Sequence, residues 1–281
     1  MSETAERTHH YHAEASVLGG HLRLPLCQQI KPQAHVKLAR EGGYISQRAE
    51  NYRLEAVISF RSAYTHVAGN RSHKPGEGWY TLTSSVIEGL NVLDVITADR
   101  VVGQTITHHP LAGYVPTISF LGTRFENLRI AGHPVELELD YEIFGSKPAD
   151  DAPYTSDAGF LSRVSRQYDR IRGHQDLPEN LAEHYNRLSS TLGGREAVEC
   201  SLVNQAAGRY PGRCYGHVIK IPDIGVITLG KLVLKQEDFH QKTGVPKKTT
   251  IHLTMIDLKL GCVIDGDIPI GGGTSNGESQ P

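Results

Sequence analysis

Hydrophobic and polar positions alternate with period two along much of this chain. The cleanest case is PVELELDYEI. Val135, Leu137, Leu139, Tyr141 and Ile143 fall on one side, with Glu136, Glu138, Asp140 and Glu142 on the other. Successive side chains of a strand point to opposite faces, so this pattern predicts a sheet half in a core and half in water. LEAVISFRSAYTHVAG behaves alike, placing Ile58, Phe60 and Tyr64 together. GVITLGKLVLKQ and TTIHLTMIDLKLGC carry apolar residues on both faces, which predicts strands central in a two-layer structure. The polar EDFHQKTGVPKK between them, with Gly244 and Pro246, predicts a hairpin with a long exposed loop.

One region changes period. In AGFLSRVSRQYDRIRG, Leu161, Val164, Tyr168 and Ile171 recur at helical spacing, with Gly173 as a stop. DLPENLAEHYNRLSSTLGG then offers Asp176 as N-cap and Glu179 as the reciprocal member of a capping box. Its stripe is Leu181, Tyr185, Leu188 and Leu192, closed by Gly193. A helical hairpin over residues 158–192 is therefore expected, inserted between two blocks of strands. Residues 1–16 and 271–281 are polar or glycine-rich and are expected as flexible tails around a single domain, 17–270. The fold class expected is mainly β: a two-layer, largely antiparallel, jelly-roll-like sandwich with that helical insertion.

Composition narrows the functions available. A formal net charge of −2 argues against duplex binding by phosphate neutralisation. No apolar run is long enough to span a membrane, and the polar N-terminus lacks the apolar core of a secretory signal, so a cytoplasmic address is expected. Cys27, Cys200, Cys214 and Cys262 form no CxxC pair or metal spacing and are expected as reduced, buried thiols.

The chemistry-bearing residues gather first in GLNVLDVITADRVVGQTITHHP, which holds Asp94, Asp99, Arg100, Gln104, Thr105, Thr107, His108 and His109. Adjacent strand residues diverge, so His108 and His109 cannot chelate one metal from an extended backbone. The stretch reads as a sheet face, with Thr105, Thr107 and His109 sharing one side and its histidines at the surface or a sheet end. His9, His10 and His12 could hold a metal transiently, but a mobile tail offers no supporting shell. Gly271–Gly273 lack the following helix and Lys-Ser/Thr pair of a phosphate loop. No nucleophile elbow or dinucleotide fingerprint is present. Cys214 and His217 would point to opposite faces. Arg163, Arg166 and Arg170, with Arg172 and Arg187 nearby, read as a solvated helix face, the alternative being an anion-binding patch.

Two blocks carry a resemblance. SSVIEGLNVLDVITADRVVGQ followed by TRFENLRIAGHPVEL resembles the β-rich pattern of the bacterial choice-of-anchor P type, over about a fifth of the chain. GHVIKIPDIGVITLGKLVL with LTMIDLKLGC is similar to uncharacterised bacterial proteins of comparable length. The resemblance implies a β-sandwich-like fold. Members of the first group are typically secreted, whereas this chain shows no signal and carries the helical insertion. The shared residues are packing and turn residues, so no catalytic, cofactor or metal residue is carried over.

The sequence thus leads to a non-catalytic binding or structural module. It is expected to self-associate because VITLGKLVL, unlike the acidic strand, lacks charges that would block edge pairing. No cofactor or stoichiometric metal is expected. The alternative is an enzyme assembled from distant strands, drawing on His66, His109, His133 or His217 with Asp99 or Asp223. Convergence of the histidines in one pocket would favour the enzyme; scatter would favour the binding module.

Overall fold

A computed structural model describes residues 8–24, 27–74, 76–194, 197–261 and 265–280. Seven strands open the chain: β1 (Thr8–Leu24), β2 (Gln28–Gln33), β3 (Val36–Lys37), β4 (Gly43–Leu54), β5 (Ile58–Arg71), β6 (Trp79–Val92) and β7 (Ile96–His109). Short pieces follow: β8 (Thr117–Ser119), β9 (Arg124–Glu126), β10 (Arg129–Ile130), β11 (His133–Pro134) and β12 (Glu136–Leu139). Helices α1 (Ala158–Arg172) and α2 (Glu179–Thr191) come next. Then come β13 (Ala197–Ser201), β14 (Val203–Ala207), β15 (Arg213–Tyr215), β16 (Val218–Ile221), β17 (Gly225–Phe239), β18 (Pro246–Leu260) and β19 (Asp265–Gln280).

Two antiparallel sheets face each other. One runs β15-β16-β17-β18-β19-β1-β2, with β13 added to β17 and β3 to β1. The other runs β11-β10-β7-β6-β5-β4, with β8 and β9 added to β7. Each is built around a meander, β17 to β19 and β4 to β7, and β1 returns to pair along the last strand of the chain. The expected sandwich with a helical hairpin is therefore what the chain forms.

Several local expectations change. The two ends are not tails: residues 8–24 and 265–280 are paired strands, and residues 1–7 lie outside the described ones. The Gly-rich end pairs well because its small residues let the facing sheet approach closely. A Cβ on Gly277 would sit 2.5 Å from the His9 ring and 2.6 Å from the His109 ring. PVELELDYEI keeps only β12, paired with β14, while Ile143 is buried beyond its end. VITLGKLVL is no edge: β17 is flanked by β18 on one side and by β16 and β13 on the other. The capping box is absent. α2 begins after Pro178 with no side-chain cap, and Asp176 instead pairs with Arg213 at 3.3 Å. Asp157 caps α1, accepting from the Phe160 amide at 2.6 Å.

A shared feature explains why two strands looked apolar on both faces. Along one line in each sheet the ladder skips a pair without changing register. In the first sheet the line passes Gly230, Met255, Gly271 and Val17; in the second it passes Asn51, Arg61, Gly89 and Asp99. Gly230 (φ 59°), Gly271 (φ 68°), Asn51 (φ 49°) and Gly89 (φ 65°) are left-handed there. Crossing the line reverses which parity faces inward, both in strands that carry a left-handed residue and in those that do not. In β17 the buried residues are Ile227 and Leu229 before the line and Leu232 and Leu234 after it. In β5 they are Ile58 and Phe60 before and Ala63, Thr65 and Val67 after, so Tyr64 faces away from Ile58 and Phe60.

The line also divides the interior. On one side lies the large apolar core, closed by Phe160, Val164, Tyr168 and Ile171 of α1 with Tyr185 of α2. On the other the facing sheets meet through Thr81, Thr83, Thr105 and Thr107, with Thr107 and Ser275 joined hydroxyl to hydroxyl at 2.8 Å. A smaller cluster of Tyr11, Val36, Leu38, Val67 and Trp79 closes that end.

Candidate functional site

The second helix of the hairpin leaves a cleft of about 680 Å³ between itself and strands β16 to β18. That volume falls in the range of small-molecule sites. Tyr185 and His217 fix the helix: the tyrosine hydroxyl and His217 Nε2 are 3.0 Å apart, both buried. Burial presses the His217 pKa down to about 4, so the ring is neutral.

Charges from four elements meet in the cleft. Lys231 of β17 lies 3.0 Å from Asp257 of β18 and 3.6 Å from Glu199 of β13. His184 of α2 reaches Glu199 at 3.2 Å, and Arg187 reaches His184 at 3.2 Å. Burial alone would lower the Lys231 pKa, but its two carboxylate neighbours outweigh it and raise the value above that of an ordinary lysine. Burial alone would raise Glu199; the His184 hydrogen bond and Lys231 hold it below the ordinary carboxylate range. Both groups are therefore locked in their charged forms. Lys231 is an ammonium and no amine nucleophile, and Glu199 is a carboxylate and no proton donor.

Lys231 reaches this face because Gly230 reverses the strand. After that residue odd positions point outward, so Lys231 joins Thr228 beside the cleft. Toward the mouth, Lys220, Val226 and Lys259 are cross-strand neighbours on the outer face. Neither lysine has a carboxylate partner among the described residues.

The nominated histidines scatter. His66 packs on Tyr44, His108 stacks on Tyr80 at 4.2 Å, and His133 is exposed in β11. His109 is neither at the surface nor at an open sheet end: it is 1% exposed and lies 4.9 Å, ring to ring, from His9. Among the described residues no group of three potential metal ligands forms. Asp99 accepts from Asn127, whereas Asp223 lines the cleft. Cys214 Sγ donates to the Ala206 carbonyl at 2.9 Å, away from the His217–Tyr185 pair. Cys27 is an exposed free thiol, Cys200 a buried one, and Cys262 lies outside the described residues. Three of the five arginines, Arg163, Arg170 and Arg172, are engaged within the fold, while Arg187 lines the cleft. Arg163 donates to the carbonyls of Ile143 and Phe144, Arg170 to Asn204, and Arg172 pairs with Asp169.

Glu199, Lys231, Asp257 and His184 were not among the expected site residues. Their signal is a charge set inside an apolar strand, as in LGKLVL and TMIDLKL, where desolvation demands a partner.

No curated protein and no solved structure matches the chain. A family model does, over residues 9–235, which takes in His184, Glu199 and Lys231 and ends before Asp257. The match covers most of the sandwich and the whole helical hairpin, and the chain belongs to the family described as a domain of unknown function, DUF8256.

Proposed function

We propose that this protein is a non-catalytic binding module whose ligand is a small polar molecule held in the α2 cleft. The observation that carries the reading is the Lys231–Glu199–Asp257 network on the cleft wall. It presents fixed charges of both signs, in protonation states that suit recognition better than proton transfer. The lysines at the mouth favour a ligand with an anionic group. Cytoplasmic residence belongs to the same reading and is supported by the free thiols Cys200 and Cys214. The test is a thermal-shift and calorimetric screen of metabolite-sized acids and zwitterions. A ligand is expected that raises the melting temperature, is recovered unchanged, and loses at least about tenfold in affinity on Asp257→Asn. Chemical conversion of the bound compound would replace this reading with an enzyme.

Self-association is the second part of the proposal, and β4 is the strand that favours it. It ends its sheet, pairs only with β5 among the described strands, and exposes Tyr44 (63%) and Ile45 (39%). Light scattering at tens of micromolar is expected to show a dimer that Ile45→Lys returns to monomer. A monomeric wild-type protein would remove self-association from the reading.

A further inference from the structure

The sheet wall of the α2 cleft is ordered in cross-strand rows. Toward the mouth, Lys220, Val226 and Lys259 lie side by side on β16, β17 and β18; two residues deeper the row is Val218, Thr228 and Asp257. Strands rise about 3.3 Å per residue, so the two rows are about 7 Å apart. Beyond the second row comes the line at Gly230, and Lys231 follows it. Between the charges the cleft is apolar, with Val226 on the sheet and Leu181 on α2.

The two rows make opposite demands. Glu199 is engaged on both oxygens, by His184 on one and by Lys231 on the other. Asp257 is engaged on one only: Lys231 donates to Oδ2, and Oδ1 has no partner among the described residues. That oxygen is not sealed in, because the Asp257 side chain remains 15% exposed and lines the cleft. Lys231 brings a single charge to two carboxylates. An ammonium at Asp257 Oδ1, beside Thr228 of the neighbouring strand, continues the alternation of charge from Glu199 through Lys231 and Asp257. The mouth row asks for the reverse, since it holds two exposed ammonium groups and no acid. Asp223, in the turn beyond it, pairs with neither lysine among the described residues. The exposed lysines alone would hold any anion weakly; the half-engaged Asp257 adds a cation to the requirement.

Resting on the binding reading above, we propose that the ligand of the α2 cleft is a free linear zwitterion. Its ammonium sits on Asp257 Oδ1, its carboxylate lies between Lys220 and Lys259, and an unbranched aliphatic chain runs along β17 between them. An α-amino acid, with both groups on one carbon, is too short to join the two rows. Calorimetric titration of the full chain at neutral pH and constant ionic strength tests this with ε-aminocaproate, heptanoate and hexylamine. Heptanoate has a methyl group in place of the ammonium, and hexylamine has one in place of the carboxylate. The zwitterion is expected to bind at least about tenfold more tightly than either. Asp257→Asn should erase its advantage over heptanoate. The double variant Lys220→Gln, Lys259→Gln changes only exposed side chains and should erase its advantage over hexylamine. The wild-type series decides the matter even where Asp257→Asn fails to fold. Heptanoate binding as tightly as ε-aminocaproate would overturn the zwitterion and still leave an anion-binding cleft, so the broader reading would survive that result. Both advantages persisting in the variants would place the ligand elsewhere and overturn the assignment. Failure of all three probes to bind would overturn it too, whereas the broader reading falls only if the wider screen of acids and zwitterions also finds no ligand.

Discussion

Three buried imidazoles give the molecule an acid limit. His9 and His217 are pressed down to about 4 and His109 well below its ordinary 6.5, in each case first by burial. His9 is lowered further by His10 and His12, and His109 by His9. A depressed histidine pKa means the unfolded chain binds more protons than the folded one between the two values. Stability therefore falls as pH drops from 6.5 toward about 4 and stops responding to His9 and His217 below that. His217 alone contributes a pH-dependent loss of about 3 kcal/mol across that window. Urea midpoints measured from pH 7.5 to 4 are expected to decline steadily. His217→Asn, which keeps a neutral hydrogen-bonding group beside the Tyr185 hydroxyl, should flatten the decline; an unchanged slope would show that His217 is not the titrating group.

Elements here are shaped by single residues that interrupt them. Gly230 at φ 59° lets β17 turn its odd residues outward, and a Cβ there would meet Val203 at 3.0 Å. Gly230→Ala adds left-handed strain to that contact, and a loss of about 1–3 kcal/mol is expected in urea unfolding. The same variant should weaken ligand binding in the α2 cleft, because Lys231 is aimed by that reversal. A stable variant with full affinity would mean that the strand does not depend on glycine there. Period two was legible on either side of the reversal but not across it. Ile58, Phe60 and Tyr64 look like one face in the sequence and are not, since Arg61 sits on the line opposite Asn51 and Gly89. The helical hairpin carried no such interruption, and its stripe was readable from Leu161 to Leu192.

At the scale of the whole molecule, the chain ends close the sandwich. β1 lies between β19 and the short strands β2 and β3, and it supplies Tyr11, Ala13 and Val17 to the interior. A chain lacking residues 1–18 would bare the long β19 edge and the Thr-rich interior behind it. It is expected to lose cooperative thermal unfolding and to aggregate; retention of a sharp transition would show that β1 is dispensable. By itself the sequence determined the β class, the helical insertion and its site in the chain, because alternation and helical period are local consequences of backbone geometry. It also determined the absence of cofactor motifs that have a local signature. Only the tertiary structure decided that polar, glycine-rich ends are strands, since their pairing partners lie some 260 residues away and small residues gain their value from the sheet they approach. The candidate site was decided there too. His184, Glu199, Lys231 and Asp257 come from four separate elements, and each becomes a polar group in need of a partner only once folding has taken the water away.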